Sequence, residues 1–384
     1  MTAVFRSFLQ GGFECSTLKF PDGRRLDLLE STGHARHALA DFQALSACGI
    51  RTVRDGLRWH RIEREDGSFD WTSAVGQIDA AVRGGTQVIW DLCHYGWPEH
   101  LDIWSPGFPQ RFARYAARAA ALIRERCPGT PFYCPVNELS YWAWAGGEMN
   151  HFAPCGTGRG DELKRQLAAC TVAAIEAIRQ VDVRARFVLA DPMIRVATAT
   201  PEDRAAAHHC TLAQYQGWDM VRGSMAPELG GATEYLDIIG VNFYPHNQWY
   251  LNGPTIHRDT PGYLPLRDML ARVHARYERP ILIAETGAEG ERRAGWLRYV
   301  CDETAAAMAQ GLPILGICLY PITDYPGWED DRHCPTGLLG FADAEGRRPV
   351  DMATATELFR QQRRFRELSE APVPVPVEAS KRAH

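Results

Sequence analysis

Two glutamates, Glu138 and Glu285, each close an apolar run of strand length. Glu138 follows Asn137 in PFYCPVNEL (131–139), and Glu285 stands in PILIAETG (280–287). A carboxylate at the end of a buried strand is costly unless it has a partner or a task. Singly, each is weak evidence, because strands often end in a polar residue where the chain meets solvent. On two strands of one parallel barrel, however, they meet across its mouth. Two carboxyl groups about 5–5.5 Å apart serve retaining glycoside hydrolysis, one as nucleophile and the other as acid and then base. The amide of Asn137, beside Glu138, offers a contact for a sugar hydroxyl.

The elements that must hold this pair follow from periodicity. Short apolar runs alternate with amphipathic helical segments, the pattern of a parallel sheet with crossover helices. Strands are expected at Gly11–Cys15, Ile50–Arg54, Gln87–Leu92, Phe132–Val136, Arg186–Ala190, Leu236–Asn242, Ile281–Ala284 and Ile314–Leu319. Eight strands close a barrel, so we expect an α/β fold: a single (β/α)8 TIM barrel with elaborated loops at the C-terminal face of the strands. Glu138 then ends the fourth strand and Glu285 the seventh. Helical stripes run through Phe112, Tyr115, Ala116, Ala119, Leu122 and Ile123, and through Leu163, Leu167, Cys170, Ala174, Ile175 and Ile178. One barrel domain over residues 1–368 and an extended or disordered Pro-rich tail over 369–384 are expected.

Gly- and Pro-rich connections follow strands three, four, six and eight, and they carry most of the tryptophans, Trp142 and Trp328 among them. Aromatic faces rimmed by polar groups suit a sugar, and this reading is favoured over the alternative that the loops merely cover the barrel top.

Composition removes other classes. The 384 residues are 45% hydrophobic and 23% charged with a formal net charge of −5, which gives no basic field for nucleic acid or anionic lipid. Eleven cysteines without a CxxC pair read as reduced thiols. The segment MTAVFRSFLQGG has no leader pattern, and no apolar run reaches membrane-spanning length, so a cytoplasmic protein with no membrane contact is expected. No metal and no cofactor are expected. His208-His209 and His333-Cys334 lack ligand spacing, His34-x-x-His37 has no third ligand, and Gly156-x-Gly158 lacks the strand–helix context of a phosphate loop. The oligomeric state is left open.

The order of motifs resembles the retaining β-glycosidases of clan A, above all family 1, the β-glucosidase family. RTVRDGLRWHRIE (51–63) is similar to that family's second-strand sequence, WDLCHYGWP (90–98) to the end of its third, and VNEL (136–139) to its acid/base motif. GVNFYP (240–245) resembles the sixth-strand motif and IAETG (283–287) the nucleophile motif. LYPITDYPGWEDDRHCPTGLLGFAD (319–343) keeps the outline of the last loop. The resemblance spans about residues 8 to 350.

It implies that Glu285 attacks the anomeric carbon, and that Glu138 protonates the departing oxygen and later activates water. It also implies that Arg54 keeps Glu285 ionised, Tyr244 donates to Glu285, Asn137 holds the 2-hydroxyl and His94 contacts a neighbouring hydroxyl. Glu14, Trp142, Tyr320, Asp324 and Trp328 become candidate sugar contacts. The departures fall in the sugar pocket. The usual last-loop glutamate is Gly327, the usual tryptophan is Tyr320, and the usual N-terminal glutamine is not evident, with Glu14 nearby. The expectation is therefore a retaining exo-β-glycosidase of a small or modified β-glycoside or oligosaccharide rather than of plain glucosides. A transglycosylase on the same site, or a non-catalytic sugar-binding barrel, remains the alternative.

Overall fold

Apolar runs too short for helices form eight parallel strands, and a helix follows each. The structure, a computed structural model, describes residues 4–370. The strands are β1 Leu9–Gly12, β2 Thr52–Gly56, β3 Gln87–Asp91, β4 Phe132–Cys134, β5 Arg186–Pro192, β6 Ile238–Asn242, β7 Ile281–Thr286 and β8 Ile314–Leu319. They pair in chain order, and β8 closes on β1 with Leu9 opposite Ile317. The crossover helices are α1 His34–Ala47, α2 Thr72–Gly84, α3 Phe108–Arg126, α4 Gly160–Val181, α5 Gln216–Arg222, α6 Leu266–Tyr277, α7 Arg292–Ala309 and α8 Met352–Glu370. This is the expected (β/α)8 barrel.

The first strand begins and ends earlier than the expected Gly11–Cys15, and the fourth stops short of the expected Val136. β1 finds neighbours only from Leu9 to Gly12, so Glu14 and Cys15 lie beyond it in the loop at the mouth. β4 stops at Cys134, leaving Asn137 and Glu138 past the strand end. The stripe of α4 is wholly buried, and that of α3 is buried except at Leu122. Each buried Leu or Ile there contributes about 1.5–3 kcal/mol. Inside the barrel Ile89, Phe132, Val188, Ile238 and Leu282 pack with the smaller Cys134, Ala190 and Ala284.

α8 runs through Glu370, so Ser369 and Glu370 of the expected tail are helical; the rest of that tail, 371–384, lies outside the described residues. Among the described residues no helix is long and apolar enough to cross a membrane. All eleven cysteines are unpaired.

His34 has a structural partner set in place of a metal. Its Nδ1 lies 2.7 Å from Asp41 and its Nε2 3.0 Å from Asp55, and Arg348 from the last loop also binds Asp41, at 2.6 Å. Burial presses the His34 pKa down, but the two carboxylates outweigh it and raise it to about 9, so the ring is an imidazolium. The network ties α1, β2 and the last loop together.

Candidate active site

Glu285 reaches the mouth because β7 is irregular. Ile283 pairs with Val241 of β6, yet Glu285 pairs with the very next residue, Asn242, so one extra residue is accommodated at Ala284. Such a bulge re-aims the side chain that follows it, and both Ala284 and Glu285 are turned inward. Glu138 is re-aimed differently. It sits at φ 47°, ψ 52°, a left-handed conformation uncommon for a non-glycine residue, with its N–H bonded to the Ala190 carbonyl of β5 at 2.9 Å. A short helix, Leu139–Trp142, and a π-helical turn, Ala143–Glu148, follow directly.

The two carboxylates have separate donors. Glu285, 4% exposed, accepts from Arg54 Nη1 at 3.0 Å on Oε1 and from the Tyr244 hydroxyl at 2.9 Å on Oε2. Glu138 accepts from Asn242 Nδ2 at 2.9 Å on Oε1 and from the Tyr95 hydroxyl on Oε2. Burial raises the pKa of both. The charge of Glu138 pushes Glu285 further up while Arg54 opposes, and at Glu138 the donations from Tyr95 and Asn242 oppose. Only Glu285 touches a fixed cation, so a proton shared by the pair rests on Glu138.

Arg54 is fully buried and spends all five N–H donors. Nε and Nη2 grip Asp91 at 3.2 and 2.6 Å, Nη2 also reaches Asn137 Oδ1 at 2.9 Å, and Nη1 holds Glu285 and the Ala284 carbonyl, each at 3.0 Å. A guanidinium suits this fork; an ammonium does not. Because Arg54 fixes the oxygen of Asn137, the amide nitrogen faces His94 Nε2 at 2.9 Å, which puts the His94 proton on Nδ1, toward Asp91 Oδ2 at 3.3 Å. Burial lowers the His94 pKa, and Asp91 and Glu14 more than offset it.

Cys15 Sγ lies 3.2 Å from His94 Nδ1 and 3.6 Å from Asp91 Oδ2, which is ligand spacing for a metal ion. The chemistry of the donors does not fit one. Both Asp91 oxygens are held by Arg54, Nδ1 carries the imidazole proton, and burial followed by the charge of Asp91 keeps Cys15 a thiol. The three form a hydrogen-bonded cluster.

The remaining candidates line or back this centre. Glu14, 5% exposed, accepts from Ser16 N–H at 3.1 Å and from the Tyr320 hydroxyl at 3.4 Å; burial raises its pKa, and Glu285 adds to the rise. The Tyr320 ring lies over Arg54, 5.4 Å from its guanidinium carbon, and a Cβ at Gly12 would come within 2.1 Å of that ring. Asp324 organises the last loop, accepting from Gly337 N–H and pairing with His333, both at 2.8 Å. Trp328 packs edge-on to Tyr95, and its indole N–H is buried without a partner among the described residues. Trp142 stands behind Tyr95 with its indole bonded to the Ala153 carbonyl at 2.9 Å; the tryptophan of that loop that faces solvent is Trp144, 47% exposed. At Gly327 even a Cβ would lie 2.5 Å from Asp330 Oδ1, so a longer side chain there requires the loop to move.

Three residues escaped the sequence reading. Asp91 carries the same signal as the glutamates, a carboxylate closing an apolar run, but the expected strand ran past it to Leu92. Asn242 was placed at a strand end without a role. Tyr95 left no signal, because its reach to Glu138 depends on a backbone at φ 67°.

Fold and centre together define a (β/α)8 barrel with two buried, separately donated carboxyl groups at its C-terminal face. No protein-family model matches the chain, and no curated protein matches it in sequence. Solved structures do match in fold. A family 1 β-glucosidase from Thermotoga maritima in complex with isofagomine lactam superposes with a TM-score of 0.75 at 15% identity, covering 94% of this chain and 99% of that one. The same organism's β-glucosidase with glucoimidazole gives 0.71 at 16%, covering 86% and 88%. A hyperthermophilic β-glucosidase mutant gives 0.72 at 14%, covering 92% and 99%. At these identities the likeness is one of fold.

Proposed function

We propose that this chain is a retaining exo-β-glycosidase acting on a small or modified β-glycoside. The observation that carries the reading is the asymmetry of the carboxyl pair: Glu285 is bonded to a cation and a phenol, while Glu138 has only neutral donors. The first suits a nucleophile that must stay ionised, the second an acid that must hold a proton at neutral pH.

In the first half-reaction Glu285 attacks the anomeric carbon as the Glu138 proton passes to the leaving oxygen. In the second, water attacks the glycosyl-enzyme, its proton goes to Glu138, and Glu285 leaves as a carboxylate. Asn137 and His94, both tied to the Arg54 cluster, would contact ring hydroxyls, and Glu14, Tyr320, Asp324 and Trp328 would shape the glycone pocket. Gly327 and Glu14 support a sugar other than plain glucose, because hydroxyl contacts decide such selectivity.

The test is a panel of aryl and alkyl β-glycosides with wild type, Glu138→Gln and Glu285→Gln. Glu285→Gln should abolish turnover of every substrate. Glu138→Gln should lose about 10²–10⁴-fold in kcat/KM on alkyl glycosides and far less in kcat/KM on dinitrophenyl glycosides, whose departure needs little protonation. Full activity of either variant on alkyl glycosides refutes the assignment.

A further inference from the structure

The phenol of Tyr95 is the one donor to Glu138 that comes from a strained backbone and a purpose-shaped wall. Tyr95 follows β3 at φ 67°, in the left-handed region, and is 1% exposed. Its conformation is set by what surrounds it. The His94 carbonyl accepts from Thr17 N–H at 3.0 Å, and the chain then passes so close to Thr17 that a Cβ at Gly96 would lie 1.6 Å from the threonine hydroxyl. Only glycine permits that approach. The ring is then clamped by aromatics from two other loops: Phe152 at 5.2 Å, Trp142 at 5.8 Å and Trp328 at 6.1 Å between centroids. All of this rigidity serves one polar contact, the hydroxyl on Glu138 Oε2.

We propose that Tyr95 is a positioning residue that holds Glu138 in the orientation and the ionised form needed for the second half-reaction. This rests on the glycosidase reading above. A phenol O–H donates best to a carboxylate, so it favours Glu138 without its proton. That form is wanted when Glu138 takes the proton of the attacking water, and unwanted when Glu138 must supply a proton to the leaving group. Tyr95 therefore speeds breakdown of the glycosyl-enzyme and restrains its formation. When Glu285 becomes an ester its charge disappears, repulsion on Glu138 drops, and the Tyr95 donor completes the change from acid to base. Asn242 donates to the opposite oxygen and acts in the same direction, as does the charge of His94, while burial and Asp191 push the other way.

The experiment compares wild type with Tyr95→Phe, which keeps the ring and its packing and removes only the hydroxyl. A hydrogen bond to a charged group is equivalent to about one to two pH units of titration midpoint. The carboxyl carbon of Glu138, followed by ¹³C NMR and assigned by its loss in Glu138→Gln, should therefore titrate about one pH unit higher or more in Tyr95→Phe. In kinetics, kcat on dinitrophenyl glycosides, where glycosyl-enzyme breakdown limits the rate, should fall about tenfold or more. Azide, which needs no base, should restore turnover of those substrates. The alkaline limb of kcat/KM for alkyl glycosides should move upward, since Glu138 then keeps its proton to higher pH.

An unmoved titration midpoint overturns the proposal whatever the activity. So does an equal loss on both substrate classes without azide rescue, which would mean that Tyr95 is only packing. A raised midpoint in a protein that cleaves no β-glycoside would instead retain Tyr95 as the group controlling Glu138 and remove the glycosidase reading.

Discussion

Replacing Arg54 by lysine tests whether the buried fork, rather than mere positive charge, holds the centre together. The guanidinium makes five hydrogen bonds, to both Asp91 oxygens, Asn137, Glu285 and the Ala284 carbonyl. An ammonium offers three donors, so at least two of those acceptors lose their partner in a place without solvent. Bonds to charged groups contribute about 1.5–3 kcal/mol each, so the loss is about 3–6 kcal/mol. That is a large share of a typical total of roughly 5–15 kcal/mol, and in a chain of this length it lowers Tm by about 4–7 °C. The chemistry changes as well. Arg54 opposes the burial and the Glu138 charge that push the Glu285 pKa up. A weaker contact lets that pKa rise, and the acid limb of kcat/KM moves to higher pH by about one to two units. Calorimetry gives the first quantity and pH–rate profiles the second. A variant that melts within about 2 °C of wild type and keeps its acid limb refutes the role given to Arg54.

Two further outcomes follow from the same geometry. His34, raised to about 9 between Asp41 and Asp55, stabilises the fold fully below its unfolded value near 6.5, and that contribution is lost as pH rises through 9; Tm should fall across this window, and His34→Gln should flatten the fall. Glu14→Gln removes a charge that repels Glu285, so Glu285 ionises at lower pH and the acid limb of kcat/KM should move down, with no movement if Glu14 stays protonated throughout.

The barrel and its carboxyl pair were legible because both follow from local pattern. Eight apolar runs and their crossover helices declare themselves by period, and a carboxylate that closes such a run is conspicuous. What the pattern hides is the direction in which a side chain points. The bulge at Ala284 turns Glu285 inward, and nothing in PILIAETG marks it. Trp142 and Trp144 are two residues apart in one loop, yet one is buried and the other faces solvent, because a π-helical turn intervenes. His34-x-x-His37 looks like half of a metal site, but the ring is held by Asp41 and Asp55, and Arg348, over three hundred residues away, joins the network through Asp41. Charge networks assembled from such separations leave no local trace.

The seam of the barrel bears on how the chain is made. β1 pairs with β8, and the imidazolium of His34 shares Asp41 with Arg348. During synthesis the first strand emerges with one edge open, and the His34–Asp41 pair lacks its guanidinium, until more than three hundred further residues have left the ribosome. An open strand edge is a template for pairing with the wrong chain. The barrel therefore closes only once β8 arrives, and the His34–Asp41 pair gains its guanidinium only with the loop that follows.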